Sequence, residues 1–386
     1  MMKAQRNKTR IALMTYAIDG RQASGSALVA RKNVEALLAR QDAFDVTFIH
    51  YEKSDDPIYS HGVREVILPT FGVRFLNRRS LRQIYYFLTT TDTFDIVQWF
   101  QPRLYPFFWL APARYKIVTA HGAGDVKKEN PFIFSRHVFN WTMRLFRKKI
   151  AVAIAGSDYS RKDIIQAYRL DPAQVHVINN GVDARFVPAS VEEVRAVRQK
   201  YNLPEQFFLG VARLIPNKNV IRMFRAFDLF SRAQGMRDIQ FVNIGARGSE
   251  RPSIDRLIDA STFKDRFHLI EYVEEADLPA MYSAAFALVF PILNEGFGLP
   301  AVESMACGTP TIISKTAAPE LADDVALLVD VLSEEDIARA MGSLANDSAL
   351  HDRLAKRGRD KAHTLTWRAS GDTIVKMYEE LMSRNG

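Results

Sequence analysis

Five side chains have the types and spacing for chemistry: Arg213 and Lys218, Glu295 and Glu303, and His121. A diphosphate leaving group becomes more negative as its bond breaks, and two cations five residues apart on one loop can meet that charge. In isolation the same pair also reads as two solvated surface cations. Glu295 and Glu303 bracket the run from Asn294 to Glu303, close enough to accept hydrogen bonds from different hydroxyls of one sugar-containing ligand. Between them, Gly296, Phe297, Gly298 and Leu299 read as a glycine loop opening into a helix, with Pro300 at the first helical position, where no N–H is lost. The free N–H groups of residues 298–302 then gather at a helix N-terminus, which attracts phosphate through unpaired donors and the helix dipole. The plainer reading is a capped helix after a glycine turn. His121 ends the apolar run from Lys116; a lone histidine there is either a site residue or a hydrogen-bonded core residue.

The elements that must hold these residues alternate. Strands are expected at about 10–17, 45–51, 64–69, 94–100, 116–121, 151–157 and 175–180, and helices at about 25–40, 78–90, 131–149 and 158–168. Such alternation implies a parallel sheet covered on both faces. The loop from Asp19 to Ser26 joins the first strand to the first helix, where an open α/β sheet tends to bind its ligand; a simple turn fits equally well. After a capping box at Ser190 and Glu193 opens a connecting helix, a second alternating unit runs through strands at 207–214, 239–245, 267–273 and 287–291. Its helices are expected at about 220–234, 252–261 and 301–307, the last closed by Gly308, followed by a terminal helical segment from Trp367 to Met382. The domain boundary is placed near 186–204, giving domains at 1–186 and 187–366 and a C-terminal helix at 367–386.

Composition narrows the class. The chain has 386 residues, 47% apolar and 25% charged, as for a soluble globular protein of two domains. The longest apolar candidate, Tyr105 to Pro112, is too short to span a bilayer, and the N-terminal run from Arg10 lacks a cleavage-type ending. A single cysteine, Cys307, forbids an internal disulfide and suits a reducing compartment, hence a cytoplasmic location. Charge is uneven: residues 1–190 carry 28 Lys+Arg against 16 Asp+Glu, or +12, and residues 191–386 carry 24 against 28, or −4. The first half therefore suits an anionic acceptor or headgroup; no recognisable nucleic-acid module accompanies the charge, so nucleic acid is not an expected partner. Segment 132–150 places Arg136, Asn140, Arg144, Arg147 and Lys148 on one helical stripe and Phe134, Val138, Trp141 and Leu145 on the other. It reads as an ordinary helix with its apolar stripe buried, or as a surface resting on the inner face of an anionic membrane; the first is preferred.

The run Glu295 to Pro300, followed by Glu303 and by Ala306 to Pro310, resembles the signature of retaining GT-B glycosyltransferases of family four, the group 1 glycosyl transferases. The similarity covers most of the second half and, more loosely, the first. It implies two Rossmann-like domains facing across a cleft and transfer of a hexosyl group, with retention, from a nucleoside-diphosphate sugar to a hydroxyl of a saccharide or lipid-linked saccharide, in surface polysaccharide or glycolipid assembly. By the resemblance Glu303 accepts from ribose hydroxyls, Glu295 holds the donor sugar, Arg213 and Lys218 stabilise the departing diphosphate with N–H groups near Gly298, and His121 supports the reacting sugar. Gly25 would lie near the donor phosphates, and the backbone of Tyr272 and Val273 would meet the nucleobase. Three positions depart from the pattern: Ala27 and Glu271 stand where glycine is often found, and Gly122 stands where Asp often follows the histidine. No cofactor is implied, and the absence of an Asp-X-Asp triplet, which would hold a metal-bound diphosphate, points to a metal-independent reaction. The alternatives are a GT-B nucleotide-sugar epimerase and a non-catalytic carbohydrate-binding or scaffolding member.

Overall fold

Strands with near-continuous apolar runs, such as Ala287–Phe290, can be stable only if both faces are covered, which is the condition of a parallel sheet inside helical layers. The computed structural model describes residues 8–18, 25–73, 78–100, 107–121, 141–234, 238–293, 296–315, 321 and 324–383. The chain forms two compact units, Met1–Asn180 with Trp367–Gly386, and Gly181–Thr366.

The first unit contains β1 (Thr9–Met14), α1 (Gly25–Leu38), β2 (Phe44–His50), β3 (Arg64–Ile67), α2 (Arg79–Thr89), β4 (Phe94–Trp99) and β5 (Ala113–Ala120). It continues with α3, helical over 141–146, then β6 (Val152–Ala155), α4 (Asp158–Tyr168) and β7 (Val175–Val177). Among the described residues its seven parallel strands are ordered β3-β2-β1-β4-β5-β6-β7, so the winding reverses between β1 and β4. The second unit contains α5 (Val191–Tyr201), β8 (Phe207–Val211), α6 (Val220–Gln234), β9 (Gln240–Ile244), α7 (Arg251–Ala260), β10 (Phe267–Ile270), α8 (Leu278–Ala284) and β11 (Ala287–Phe290). It closes with α9 (Leu299–Ala306), β12 (Thr311–Ser314), β13 (Leu327–Val329), α10 (Glu334–Asn346) and α11 (Ser348–Thr364). Its six parallel strands follow the order β10-β9-β8-β11-β12-β13, reversing between β8 and β11. Both units are thus doubly wound, parallel α/β sheets, as expected.

Several local expectations are corrected. The strand expected to run to Val273 ends at Ile270; beyond it, Tyr272 is 69% exposed whereas Val273 is buried. β13 was not foreseen, because its apolar run is only three residues long. Of segment 132–150, residues 132–140 lie outside the described residues, and the rest reverses the preferred reading. Thr142 and Met143 are buried, whereas Trp141 and Leu145 are 64% and 56% exposed. The reason is a half-turn in facing: Phe146 stacks on Trp109 at 3.8 Å between ring centres, which holds that side of α3 inward.

The last helix, α12 (Trp367–Ser383), belongs to the first unit. Ile374, Val375, Met377, Tyr378 and Leu381 complete a core with Ile11, Leu13, Val34 and Phe44. The buried Tyr378 hydroxyl donates to Gln98 Oε1, and Gln98 Nε2 donates to Thr119 Oγ1 at 3.0 Å. Helix α12 approaches α1 so closely that a Cβ on Gly371 would lie 2.6 Å from Ala36 Cβ. Gly371→Ala is therefore expected to cost about 1–3 kcal/mol in chemical denaturation. Adding Ala36→Gly should restore more than half of that loss; a double variant no better than the single would show that this contact does not set the helix separation.

Candidate functional site

The second unit brings most of the singled-out residues onto the carboxyl ends of its strands, where an open α/β sheet binds ligands. Arg213 lies two residues beyond β8; it is exposed and forms no ion pair among the described residues. Lys218 ends a short 3-10 turn, Pro216–Lys218, and its Nζ sits 5.9 Å from the centre of the Phe290 ring at the end of β11. The loop carrying Arg213 is tied to the end of β9 by Leu214 N–H to Arg247 O, 3.0 Å, and Glu250 N–H to Leu214 O, 2.8 Å.

Sequence reasoning missed the residue that holds these parts together. Asn219 is buried and sits in the left-handed region with φ 55. Its Nδ2 donates to Pro291 O at 2.9 Å and Val331 O at 2.7 Å, while its Oδ1 accepts from Arg222 Nη1 at 3.0 Å. The cation loop is thereby fixed to the strand that leads into the glycine loop. A signal was present: asparagine is one of the few side-chain-bearing residues that tolerate positive φ, and it follows a proline-led turn.

The glycine loop turns inward before it turns upward. Phe297 is buried in the core beside Val273, Tyr282 and Phe290, and Gly298, with φ 81 and ψ 51, makes the left-handed turn that starts α9. Pro300 is the second helical residue, not the first, and Glu303 the fifth, in the second turn. The N–H groups of Ala301 and Val302 already bond to Gly298 O at 2.9 and 3.3 Å. Of residues 298–302, only Gly298 and Leu299 therefore keep N–H groups without a partner among the described residues. Gly296 precedes them on the loop, while Glu295 lies outside the described residues.

Glu303 is partly buried and accepts a 2.8 Å hydrogen bond from the Tyr282 hydroxyl, a partner that no sequence signal indicated. Burial pushes its carboxyl up to about 7, offset in part by the Tyr282 bond and the positive charge of Arg185, and reinforced by Glu275 and Asp183. The backbone groups of Tyr272 and Val273 lie beyond β10 and make no hydrogen bond among the described residues. Glu271, the departure from the resemblance, is exposed and paired with Arg247 at 2.5 Å.

In the first unit, His121 directly follows β5, and its carbonyl accepts from Ser160 Oγ at 3.3 Å. Beside it is a cavity of about 10 Å³, bordered by Asn33, Thr119, Asn180 and Ser370. Gly25 is the first residue of α1 and exposed; most of the loop before it, residues 19–24, lies outside the described residues, as do 316–320. Among the described residues no helix is long and apolar enough to cross a membrane.

Residues 193–361 match the family of Glycosyl transferases group 1, and residues 23–186 match Glycosyltransferase Family 4. Among curated relatives, an O-antigen chain mannosyltransferase B of Escherichia coli is 29% identical over 227 residues, 58% of this chain and 59% of that protein. A D-inositol 3-phosphate glycosyltransferase of Salinispora tropica is 30% identical over 298 residues, 72% of this chain and 62% of that protein. The alignments thus span about three-fifths of those relatives' lengths. Among solved structures, sucrose-phosphate synthase of Thermosynechococcus elongatus superposes with TM-score 0.75 at 20% identity, covering 98% of this chain and 100% of that one. Anabaena HepE in complex with UDP and glucose gives 0.72 at 17% identity, with 98% and 100% covered.

The raised carboxyl of Glu303 fixes a pH dependence. A folded-state value near 7, against an ordinary carboxyl near 4.5, contributes stability that is full below about 4.5 and lost as pH rises through 7. Glu303→Gln, neutral throughout and still able to accept from Tyr282, should match the parent's unfolding free energy in chemical denaturation near pH 4 and exceed it near pH 8, by at most about 3 kcal/mol. A stability difference that does not widen between pH 4 and pH 8 would refute the burial account.

Proposed function

The chain belongs to the group 1, family 4 glycosyltransferases, and from that premise we propose that it moves a hexosyl group, with retention, from a nucleoside-diphosphate sugar to an acceptor hydroxyl. The observation that carries the reading is the Asn219 bracket, which joins the Arg213 and Lys218 loop to the strand entering the Gly298 turn. In this reading the diphosphate lies against the N–H groups of Gly298 and Leu299, with Arg213 and Lys218 countering the charge that grows on it. Glu303 accepts from the ribose hydroxyls, and its ionised form is the better acceptor. The free backbone groups of Tyr272 and Val273 receive the base, and Glu295 orients the sugar.

The bond from the anomeric carbon to the diphosphate oxygen breaks, the acceptor oxygen takes that place on the same face, and the acceptor hydroxyl passes its proton to the diphosphate oxygen that keeps the electron pair. His121 is assigned, by the family resemblance alone, the support of the sugar as positive charge develops on it. Neither glutamate serves as a covalent nucleophile, and the two cations supply the charge that a metal would otherwise provide. The names of the relatives, an O-antigen mannosyltransferase and an inositol phosphate glycosyltransferase, and the UDP and glucose bound by the Anabaena protein support a nucleotide-sugar donor and a role in surface polysaccharide or glycolipid assembly. Lys218→Ala should lower nucleoside-diphosphate release in the presence of an acceptor extract by about 10²–10³-fold with little change in melting temperature. Turnover equal to the parent's would remove the phosphate role, and NMR of the product linkage tests retention.

We also propose that the protein works at the inner face of a membrane. Trp141 and Leu145 are exposed beside Arg144, Arg147, Lys148 and Lys149, and apolar side chains ringed by cations suit an anionic lipid surface. Flotation with phosphatidylglycerol vesicles should fall several-fold in a Trp141→Ala, Leu145→Ala double variant. Undiminished flotation would refute this surface as the contact.

A further inference from the structure

We propose that the first unit carries an anion subsite, centred on the Arg79 guanidinium and backed by Arg82, that receives a phosphate or carboxylate group of the acceptor; this rests on the transferase reading above. The start of α2 breaks an electrostatic rule. Arg78 caps it, Arg79 and Arg82 lie in its first turns, and its first turn has no acidic residue, so cations crowd the positive end of the helix dipole. Such conflicts with local preference concentrate at functional positions.

The two guanidinium groups are held differently. Arg82 is 5% exposed. Its Nε donates to Pro69 O at 2.7 Å, and its Nη2 donates to Tyr51 O at 2.6 Å and Leu68 O at 2.5 Å. These carbonyls satisfy its donors without cancelling its charge, and they lie just past the ends of β2 and β3. Arg79 lies 3.7 Å above the centre of the Tyr16 ring and 5.8 Å from that of Tyr51, and the two rings meet edge to face at 5.3 Å. Tyr16 lies two residues beyond β1.

Stacking fixes the plane of the Arg79 guanidinium while leaving its N–H edge open. Arg79 is exposed and makes no hydrogen bond or ion pair among the described residues. Two like charges thus stand at the carboxyl ends of β1, β2 and β3, the edge on which an open α/β sheet takes its ligand, with no carboxylate paired to either among the described residues. The planar, bidentate donor edge of Arg79 matches a phosphate or carboxylate.

The test uses the full-length chain, with glucose 6-phosphate as soluble probe and phosphatidylglycerol vesicles as lipid probe. The parent should bind glucose 6-phosphate and not glucose in calorimetry. Arg79→Gln should weaken that binding by at least about tenfold without lowering the melting temperature, and Arg79→Lys should restore it in part. If Arg79→Gln instead loses vesicle flotation and the parent ignores glucose 6-phosphate, the anion is a lipid headgroup; if both probes bind Arg79→Gln like the parent, the subsite is refuted. Lys218→Ala separates this claim from the transferase reading. It should leave glucose 6-phosphate binding intact, whereas loss with Lys218→Ala and retention with Arg79→Gln would assign the probe to the donor site and overturn the subsite alone.

Discussion

The side-chain amide of Asn219 is the interaction on which the second unit's site depends. Two loops that follow different strands, one after β8 and one after β11, have no backbone reason to keep a fixed spacing. A buried amide donating to a carbonyl near each of two later strands supplies that reason, and each bond contributes on the order of 1 kcal/mol when satisfied and costs more when broken. Its position in the left-handed region matters as much as its donors. Glycine would keep the turn and lose the bracket, and most other side chains would strain the turn.

Around that bracket the parallel sheet does the aligning. Because every strand of the second unit runs the same way, the loops with Arg213, Tyr272 and Gly298 all emerge on one edge, although they come from distant parts of the chain. Burial then tunes what emerges. Phe297 is drawn into the core, which leaves Gly298 to make the turn. The same apolar surroundings raise the Glu303 carboxyl toward neutrality, so a residue read as a simple hydrogen-bond acceptor becomes sensitive to pH.

Much of this was legible in the sequence because it rests on short-range rules. Alternating apolar runs located both sheets, the Ser190 and Glu193 capping box formed as expected, and helices α4 and α6 begin near where their periodicity starts. What failed depended on neighbours distant in sequence. The inward face of α3 is decided by Trp109, more than thirty residues earlier, which no helical wheel of residues 132–150 contains. The Tyr282 bond to Glu303 joins two helices separated by a strand, and β13 is too short to announce itself. Pro300 was misplaced by one position because a proline is tolerated anywhere in the first turn of a helix.

Helix α12 completes the first unit from the far end of the chain, its Tyr378 hydroxyl meeting Gln98 across 280 residues of sequence. During synthesis, a ribosome adding about 5–20 residues per second emits the whole of Gly181–Thr366 before this helix exists, a wait of roughly 10–40 s. Throughout that interval the first sheet has one apolar face without its cover of Ile374, Val375, Met377 and Tyr378. The nascent chain must therefore carry an unfinished hydrophobic surface past the emergence of its second half, and this is the period in which chaperone capture has most to offer it.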